Sequence, residues 1–389
     1  MEQTPFHSYI VKVASRCNIN CTYCFIYNHD DTRWQRQPRL ISNETVAQLC
    51  RRMIEHCTTF GKTDVQFILH GGEPLLGGLK HLRQIVSVVE QAFAETDIRC
   101  KLAIQSNGLL FTEQIGDFLL EKQINLGISL DGPPEVNDQF RKHFNGKGTS
   151  RELETRLRLL AERPYNAIFS GFLAVINPDT DPIATYDYLA QFNPYGMDFL
   201  LPYDNWDRRP LGKENADSTV YGDWLIRLFD YWFELDRPRH IKMFHSYMRV
   251  LLGGTSTLES IGLSPVDLIV IETNGEIEAV DSLKASFNGA TELGYSIFEH
   301  SFDEVLDHVN VQARQIGADA LCDQCRRCPV VDYCGGGYVP NRYSARNGFN
   351  NPSIYCRDLE KMIRHMHQRL SSQLNHDYSH ETDLATATI

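Results

Sequence analysis

The sequence predicts an α/β fold built on a parallel sheet, and two patterns support this. First, residues 8–235 alternate short β-branched runs with amphipathic helical stretches, in six strand–helix units. Second, polar, glycine-containing loops follow several of the predicted strands. Serial strand–helix units form parallel sheets through right-handed crossovers, and ligands bind at the carboxyl ends of such strands. We therefore expect a functional site where these loops meet.

Strands and helices alternate strictly along this region. Hydrophobic runs predict strands over 8–13, 65–70, 98–104, 124–130, 167–176 and 197–201. Apolar residues at helical spacing predict helices over 43–57, 79–94, 112–122, 150–163, 181–191 and 217–235. Either Ser42 or Asn43 can cap the first helix. Cys50 and Cys57 fall on its apolar face and Cys100 on the third strand, so we interpret these three cysteines as core residues.

The charge and the cysteine content narrow the class of protein. A formal net charge of −12 argues against a nucleic-acid partner or an anionic membrane, since both favour clustered Lys and Arg. No signal-like segment follows Met1, and no apolar run approaches the roughly 20 residues that span a bilayer. We expect a cytoplasmic location. Eleven cysteines in such a chain indicate metal or redox chemistry rather than structural disulfides.

Three cysteines in one short loop after the first predicted strand give the strongest chemical signal. Cys17, Cys21 and Cys24 offer three thiolates, with the aromatic Phe25 directly after them. A structural zinc ion or a fully ligated iron–sulfur cluster takes four protein ligands. Three close thiolates therefore predict a cluster with one metal corner open to a small molecule.

Each of the other loops is a weak signal when taken alone. The second strand leads to His-Gly-Gly-Glu-Pro at 70–74, the third to Gln-Ser-Asn-Gly at 105–108 and the fourth to Ser-Leu-Asp-Gly-Pro at 129–133. All three are also ordinary turn sequences. Their order, together with the cysteine loop, resembles the radical S-adenosylmethionine (radical SAM) superfamily. The resemblance implies a partial (β/α)6 TIM-like barrel, with a [4Fe–4S] cluster on the three cysteines whose open iron chelates S-adenosylmethionine (SAM).

The same resemblance implies which residues contact SAM. They are Tyr23, Phe25, Gly71, Gly72, Glu73, Pro74, Ser129 and Arg141. The two glycines would admit the methionine moiety, the Glu73 carboxylate suits its ammonium group, and Pro74 would fix the turn. Arg141 is the candidate for the SAM carboxylate, with Arg151 as the alternative. Ser129 would meet the ribose or the methionine part, while Tyr23 or Phe25 either lies near adenine or packs against the cluster loop.

A second group of cysteines lies near the C-terminus. Its members are Cys322, Cys325, Cys328, Cys334 and Cys356. Close C-x2-C pairs are also typical of a zinc knuckle. The pattern otherwise resembles a SPASM domain, the auxiliary iron–sulfur extension of radical SAM peptide maturases. That resemblance implies an auxiliary [4Fe–4S] cluster held by Cys325, Cys328, Cys334 and Cys356.

The chain departs from the SPASM pattern where a second auxiliary cluster would be bound. Residues 269–282 contain no cysteine, and Tyr338 stands where a later cysteine would fall. We expect one auxiliary cluster, with Asp281 or Cys322 as an unusual further ligand. The predicted domains are a barrel over 1–235, a helical bridge over 236–265, a SPASM-like domain over 266–370 and a flexible tail over 371–389.

Further segments, at 278–284, 335–344 and 347–356, resemble the maturases that form three-residue cyclophanes in ribosomally synthesised precursor peptides. That resemblance implies hydrogen abstraction from a side-chain carbon, most simply the β-carbon, and a crosslink to an aromatic ring. A flavodoxin- or ferredoxin-type donor would supply the electron for SAM cleavage, and the auxiliary cluster would accept another. Asp204, Glu272 and Asp281 are candidate bases, with none preferred.

Other functions stay open at the level of sequence. Within radical SAM chemistry they are formylglycine formation on a protein Ser or Cys and thioether or aryl ether crosslinking. Outside it, the chain would be a non-catalytic zinc or iron–sulfur scaffold. The first predicted strand begins too near the N-terminus for a separate peptide-binding module upstream. Any leader recognition is therefore expected to use the barrel rim, the bridge, the SPASM-like domain or another protein.

Overall fold

A computed structural model describes residues 3–386 of the chain, and one sheet organises most of it. The strands in the described range are β1 (Ser8–Ala14), β2 (Asp64–Gly71), β3 (Arg99–Ser106), β4 (Asn125–Ser129), β5 (Phe169–Val175), β6 (Gly196–Leu200), β7 (His240–Ile241), β8 (Leu268–Ile271), β9 (Glu276–Glu278) and β10 (Glu292–Ser296). The longer helices are α1 (Asn43–Thr59), α2 (Gly78–Phe93), α3 (Glu113–Glu121), α4 (Pro134–Phe140), α5 (Ser150–Ala161), α6 (Pro182–Ala190), α7 (Val220–Phe233) and α8 (Lys242–Leu251). Towards the C-terminus follow α9 (Phe302–Leu306), α10 (Val309–Gln312), α11 (Asp323–Arg326), α12 (Val331–Cys334) and α13 (Cys356–Thr386).

The strand order is β10-β9-β8-β1-β2-β3-β4-β5-β6-β7. Pairing is parallel from β8 through β7, and antiparallel only in the β8-β9-β10 segment. This confirms the predicted α/β fold with a parallel sheet. All six predicted strands and all six predicted helices are present, with their ends shifted by up to three residues.

Local sequence explains how helix α1 begins and which face it buries. The Oγ atom of Ser42 accepts the Thr45 N–H at 3.0 Å, so Ser42 rather than Asn43 caps the helix. Cys50 and Cys57 are fully buried in the core, as predicted. Cys100 on β3 is half-buried and packs against the same core.

The sheet crosses the predicted domain boundaries. Strand β7 and helix α8 lie within the predicted bridge, and β8 pairs in parallel with β1, with Leu268 opposite Ser8. The predicted SPASM-like domain over 266–370 therefore contributes strands to the barrel sheet. Sequence could not show this because β7 and β8 are too short for a clear period, and strand pairing is a long-range property.

Helix α13 continues through most of the predicted flexible tail, as far as Thr386, and residues 387–389 lie outside the described range. No Gly or Pro interrupts 371–386, so backbone hydrogen bonding can propagate after the apolar period fades. Near its start, the Asp358 carboxylate accepts the N–H groups of Tyr221 and Gly222 at 3.0 and 2.9 Å, which joins α13 to α7. None of the helices within residues 3–386 is long and apolar enough to cross a bilayer.

Candidate active site

A cavity of about 570 Å³ lies where the loops after β1 to β4 meet. The predicted site residues that line it are Cys17, Cys21, Tyr23, Cys24, Phe25, Gly71, Gly72, Ser129 and Arg141. Parallel strands end at one rim, so segments more than a hundred residues apart in sequence come together here. We call this space the reaction cavity.

The three cysteines of the β1 loop are largely withdrawn from water. The Cys24 N–H donates to the Cys21 carbonyl oxygen at 3.0 Å, and the Asn28 amide donates to the same oxygen at 2.7 Å, which closes the loop. Burial raises the pKa of Cys17 to about 12 and that of Cys24 to about 11, and neighbouring cysteines add to both shifts. Thiolates are the ligand form, so the bound iron would have to supply the stabilising positive charge.

This donor set suits a cluster better than a single ion. Among the side chains that the structure describes, those of residues 3–374, no three Cys, His, Asp or Glu groups converge closely enough to hold one metal ion. A four-iron cluster spreads its thiolate ligands around several metal atoms and does not require that convergence. Three thiols on one cavity wall, one buried and two half-buried, therefore fit the predicted cluster with an open corner.

Gly71 and Gly72 allow β2 to approach the cysteine loop closely. Gly71 has φ +132°, and a Cβ there would lie 2.1 Å from the Ala14 carbonyl oxygen. A Cβ on Gly72 would lie 2.0 Å from the Tyr27 hydroxyl and 2.3 Å from the Arg16 carbonyl oxygen. Both glycines line the reaction cavity, but the close contacts shown are with the β1 loop.

Glu73 and Pro74 are buried and do not line the reaction cavity. The Glu73 carboxylate accepts hydrogen bonds from Ser106 Oγ at 2.8 Å and from the N–H groups of Asn107 and Leu75 at 2.8 and 2.9 Å. Both oxygens thus accept hydrogen bonds from the protein itself. Glu73 ties the β2 loop to the β3 loop, and its contact with the SAM ammonium group stays a prediction.

Arg141 and Tyr23 form a buried hydrogen-bonded chain with Asp131. The Tyr23 hydroxyl donates to Asp131 Oδ2 at 2.6 Å and accepts from Arg141 Nη1 at 2.9 Å. Tyr23 and Arg141 line the cavity, whereas the alternative Arg151 is exposed on α5 and does not. Placement therefore favours Arg141 as the carboxylate-binding candidate.

Ser129 and Phe25 both line the reaction cavity and make different contacts. Ser129 Oγ accepts a hydrogen bond from Gln105 Nε2 at 2.9 Å, and both residues line the cavity. The Phe25 ring packs edge-on against Tyr203, with 4.9 Å between ring centroids. Tyr203 in turn lies 5.6 Å from the ring of Tyr338. The contacts of Phe25 are thus within the cavity wall.

Two of the three candidate bases reach the reaction cavity. Asp204 and Asp281 line it, whereas Glu272 is buried behind the wall. Burial raises the pKa of Asp204 to about 6, although Arg208 opposes the shift. Burial also acts to raise the pKa of Asp281, but nearby cations, Lys12 first among them, outweigh it and lower the pKa.

A second cavity, of about 240 Å³, holds the C-terminal cysteines. Cys325, Cys328, Cys334 and Cys356 all line this auxiliary cavity. Cys322 lies close to Cys325 but packs away from the cavity, beside Leu321. Asp281, the other suggested ligand, lines the reaction cavity and not this one. The structure thus brings together the four predicted ligands and places neither unusual ligand on the wall.

A glycine turn shapes one side of the auxiliary cavity. Gly335, Gly336 and Gly337 have φ values of +61°, +77° and +69°, a left-handed run that side chains disfavour. The buried Arg342 guanidinium donates to the carbonyl oxygens of all three, at 2.6 to 3.0 Å. Sequence alone did not identify this role for Arg342.

Comparison with known proteins identifies the kind of domain that contains the reaction cavity. A model of the radical SAM superfamily matches residues 11–189, which contain the cysteine loop and the loops after β2 to β4. Residues 11–189 thus form a radical SAM domain. Members of the superfamily are enzymes that use a [4Fe–4S] cluster and SAM, and the cavity described above offers donors suited to both.

Relatives of this radical SAM enzyme match it over nearly its whole length. The cysteine-type anaerobic sulfatase-maturating enzyme of Clostridium novyi is 26% identical over 366 residues, covering 92% of this chain and 94% of that protein. The serine-type enzyme of Bacteroides thetaiotaomicron is 24% identical over 386 residues, covering 93% and 89%.

Solved structures share the fold of the radical SAM chain. That of anSMEcpe with bound AdoMet superposes with a TM-score of 0.80 at 23% identity, covering 95% of this chain and 99% of that one. Streptococcus suis SuiB bound to its precursor peptide SuiA gives a TM-score of 0.60 at 15% identity, covering 92% and 77%. The fold is thus shared with both proteins, and the structural similarity is greater for anSMEcpe.

Asp131, like Arg342, is a residue of this radical SAM enzyme to which the sequence assigned no role. It anchors Tyr23 through Oδ2 and accepts the Val175 N–H through Oδ1 at 3.1 Å. Its place in an Asp-Gly-Pro turn after β4 was a visible signal, but that turn is common in many proteins. Only its buried hydrogen bonds distinguish it.

Proposed function

We propose that this radical SAM enzyme oxidises a cysteine or serine side chain of a polypeptide to formylglycine. The observation that carries the proposal is the similarity, over 92% and 93% of the chain, to sulfatase-maturating enzymes of the cysteine and serine types. The cyclophane product expected from sequence motifs is the second candidate. The modification of a peptide or protein substrate is common to both.

The role of the protein is to hold the cluster and SAM and to orient them toward the substrate carbon. When bound, the cluster and SAM supply a 5′-deoxyadenosyl radical that removes a hydrogen atom from the substrate β-carbon. Cys17, Cys21 and Cys24 would hold the cluster, and Arg141, fixed by Tyr23, would orient the SAM carboxylate. Phe25 and Tyr203 form part of the wall that excludes water from the substrate carbon.

The oxidation balances with one further electron and one proton. After hydrogen removal, the substrate carbon must lose one electron and its OH or SH group one proton, which leaves a C=O or C=S bond. Water then converts the thioaldehyde from a cysteine to the aldehyde and releases hydrogen sulfide. The four cysteines of the auxiliary cavity would hold the electron acceptor, which we propose is a [4Fe–4S] cluster.

Of the two carboxylates that line the reaction cavity, that of Asp281 is better suited to accept the substrate proton than that of Asp204. It lines the reaction cavity, and the lowered pKa keeps its carboxylate ionised at neutral pH. Asp204 also lines the cavity, but burial raises its pKa to about 6, so a larger fraction is protonated near neutrality. A base must be deprotonated before it can act.

Cyclophane formation is the second candidate on the strength of its sequence motifs, and one solved structure supports a peptide substrate. SuiB, whose solved structure contains its precursor peptide, shares this fold with a TM-score of 0.60. Crosslinking also removes one hydrogen atom, one electron and one proton, so the electron balance does not separate the two functions. The product has to be identified chemically.

Anaerobic assays of the reconstituted enzyme test the proposal. Three peptides are needed: one with a single cysteine, one with a serine instead, and one with aromatic residues but neither. Trapping with a hydrazide detects the aldehyde, and tandem mass spectrometry locates it. Serine oxidation and crosslinking both remove two hydrogens, so the aldehyde is the deciding signal.

We expect a trapped aldehyde at the cysteine or the serine, with 5′-deoxyadenosine formed in proportion. A product from the aromatic peptide that lacks two hydrogens and does not react with hydrazide would instead support crosslinking. Chemical dithionite and a purified flavodoxin, compared as reductants, also test the proposed electron donor. Replacement of Cys24 by alanine is the control that should abolish SAM cleavage.

A further inference from the structure

We propose that Lys12 is a positioning residue for this oxidation: it holds the Asp281 carboxylate ionised at the wall of the reaction cavity, where that carboxylate accepts the substrate proton. The inference rests on the proposed function. It adds a residue on β1 that does not itself line the cavity.

The contact between the two residues is direct and shielded from solvent. Lys12 Nζ lies 3.3 Å from Asp281 Oδ2, and the side chains are 3% and 12% exposed. The geometry is that of an ion pair whose two atoms face each other inside the protein with almost no solvent-exposed surface. The substrate proton would therefore go to Oδ1, the other oxygen of the Asp281 carboxylate. Such a short ion pair favours the carboxylate over the carboxylic acid.

The other groups near Asp281 do not replace Lys12. His70 on β2 is uncharged at neutral pH because burial lowers its pKa. Tyr203 is also neutral, since burial raises the pKa of its hydroxyl. Lys284 is a more distant cation whose ammonium group lies 2.6 Å from Glu272 and 2.9 Å from Glu278. Lys12 is thus the cation in direct contact with Asp281 among the described residues.

A buried row of alternating charges holds Lys12 in place. Lys12 Nζ also lies 3.6 Å from Glu272 Oε1, and Glu272 pairs with Lys284. Lys284 then contacts Glu278, whose other oxygen lies 2.8 Å from Arg33 Nη2. Each charge in this row has an opposite neighbour, which offsets the cost of burial. The row fixes the ammonium group beside Asp281.

The position of Lys12 on β1 links the proton acceptor Asp281 to the cysteine loop. Lys12 lies on β1, five residues before Cys17, and β1 pairs with both β2 and β8. The strand that leads to the cysteine loop thus also carries the residue that keeps the Asp281 carboxylate ionised. A shift of β1 would move both parts of the reaction together.

The test uses the variants K12M, K12R and D281N, with K122M as the matched control. Lys122 forms an exposed ion pair with Glu90 outside the reaction cavity. The first readout is infrared spectroscopy of the cofactor-free protein with 13C-labelled aspartate, recorded against pH. The carboxyl band missing from D281N belongs to Asp281. This readout requires neither the cluster nor turnover.

We expect the Asp281 band to titrate about one pH unit or more higher in K12M than in the wild type, because burial then acts without the opposing cation. K12R and K122M should titrate like the wild type. An unchanged midpoint in K12M overturns the proposal. If K12M does not fold, E272Q replaces it in the test. This substitution removes the other carboxylate that pairs with Lys12, so the titration midpoint of Asp281 should fall. An unchanged or raised midpoint would overturn the proposal.

The second readout is aldehyde formed per 5′-deoxyadenosine in the reconstituted enzyme. In K12M this ratio should fall about tenfold at pH 7 and recover as the pH rises, while SAM cleavage continues. A loss that is equal at every pH would indicate a merely structural role and overturn the proposal. If the wild type itself makes no aldehyde, the proposed function fails, whereas the infrared result still decides whether Lys12 ionises Asp281.

Discussion

At the residue scale, hydrogen bonding gives two charged side chains of the site, Arg141 and Glu73, different roles. Arg141 is held by the Tyr23 hydroxyl and borders the reaction cavity, so its guanidinium can meet an anionic ligand. The Glu73 carboxylate accepts hydrogen bonds from three donors of the protein and holds the rim loops together. Arg141 is therefore suited to binding an anionic ligand, and Glu73 to holding the loops in place.

Replacement of Arg141 by methionine should weaken SAM binding about tenfold or more, because a charge-assisted hydrogen bond contributes about 1.5–3 kcal/mol. Equilibrium binding to the reconstituted enzyme measures the effect. R151M is the control, since Arg151 is exposed on α5, and it should bind SAM normally. Equal losses in the two variants would contradict the assignment.

Replacement of Glu73 by glutamine should lower the free energy of unfolding by about 1–3 kcal/mol, because an amide nitrogen then faces backbone donors in a buried site. Urea unfolding of the cofactor-free protein measures this change. The folded fraction should still bind SAM after reconstitution. Normal stability combined with lost SAM affinity would restore the ammonium-binding role expected from sequence.

At the scale of elements, the end of β2 is fitted against the loop after β1. The Gly72 N–H donates to the Ala14 carbonyl oxygen at 2.9 Å, and the Glu73 N–H donates to that of Arg16 at 3.0 Å. These bonds set the cysteine loop against the Gly-Gly turn. The position of the cluster ligands therefore depends on a neighbouring strand as well as on their own.

Replacement of Gly72 by alanine should reduce iron incorporation at the cysteine loop severalfold. The new Cβ would overlap the Arg16 carbonyl oxygen, a backbone atom that can move only if the loop moves. Iron content and the visible absorption of the reconstituted protein report the loss. G61A is the comparison variant: it carries backbone strain at φ +63°, but no atom lies within 4 Å of the added carbon. Similar iron contents in the two variants would contradict the prediction.

At the scale of the whole molecule, two cysteine cavities have separate walls. Cys17, Cys21 and Cys24 line the reaction cavity, whereas the C-terminal four line the auxiliary cavity, and no residue is shared between these two linings. The sheet connects the regions, because β8 follows the bridge and pairs with β1. Radical generation and electron acceptance can therefore be disrupted independently.

Replacement of Cys328 by serine should remove the auxiliary cluster and leave SAM cleavage intact. Iron content should fall, 5′-deoxyadenosine should still form, and aldehyde should be lost because the second electron has no acceptor. C322S is the matched control, since Cys322 is buried in the same segment but does not line the auxiliary cavity. A loss of iron in C322S equal to that in C328S would make Cys322 a ligand.

Much of the barrel could be predicted from local sequence. The six strand–helix units have clear periods, and the cysteine loop and the loops after β2 to β4 follow directly from strand ends. Strands β7 to β10 were missed because two to five residues carry too little pattern, and their pairing partners lie far away in the chain. The pairing of β8 with β1 across the predicted boundary at 266 was missed for the same reason, and the boundary itself stays a prediction.

The sequence by itself determined the α/β class and the three-cysteine loop and carried the resemblance to the radical SAM superfamily, because these depend on patterns within short segments. Only the tertiary structure decided that Glu73 supports the rim loops, that Arg141 rather than Arg151 reaches the cavity, and that Asp281 lies beside Lys12. Such contacts join residues on different strands. Burial and distance in the folded chain, which spacing does not encode, set their chemistry.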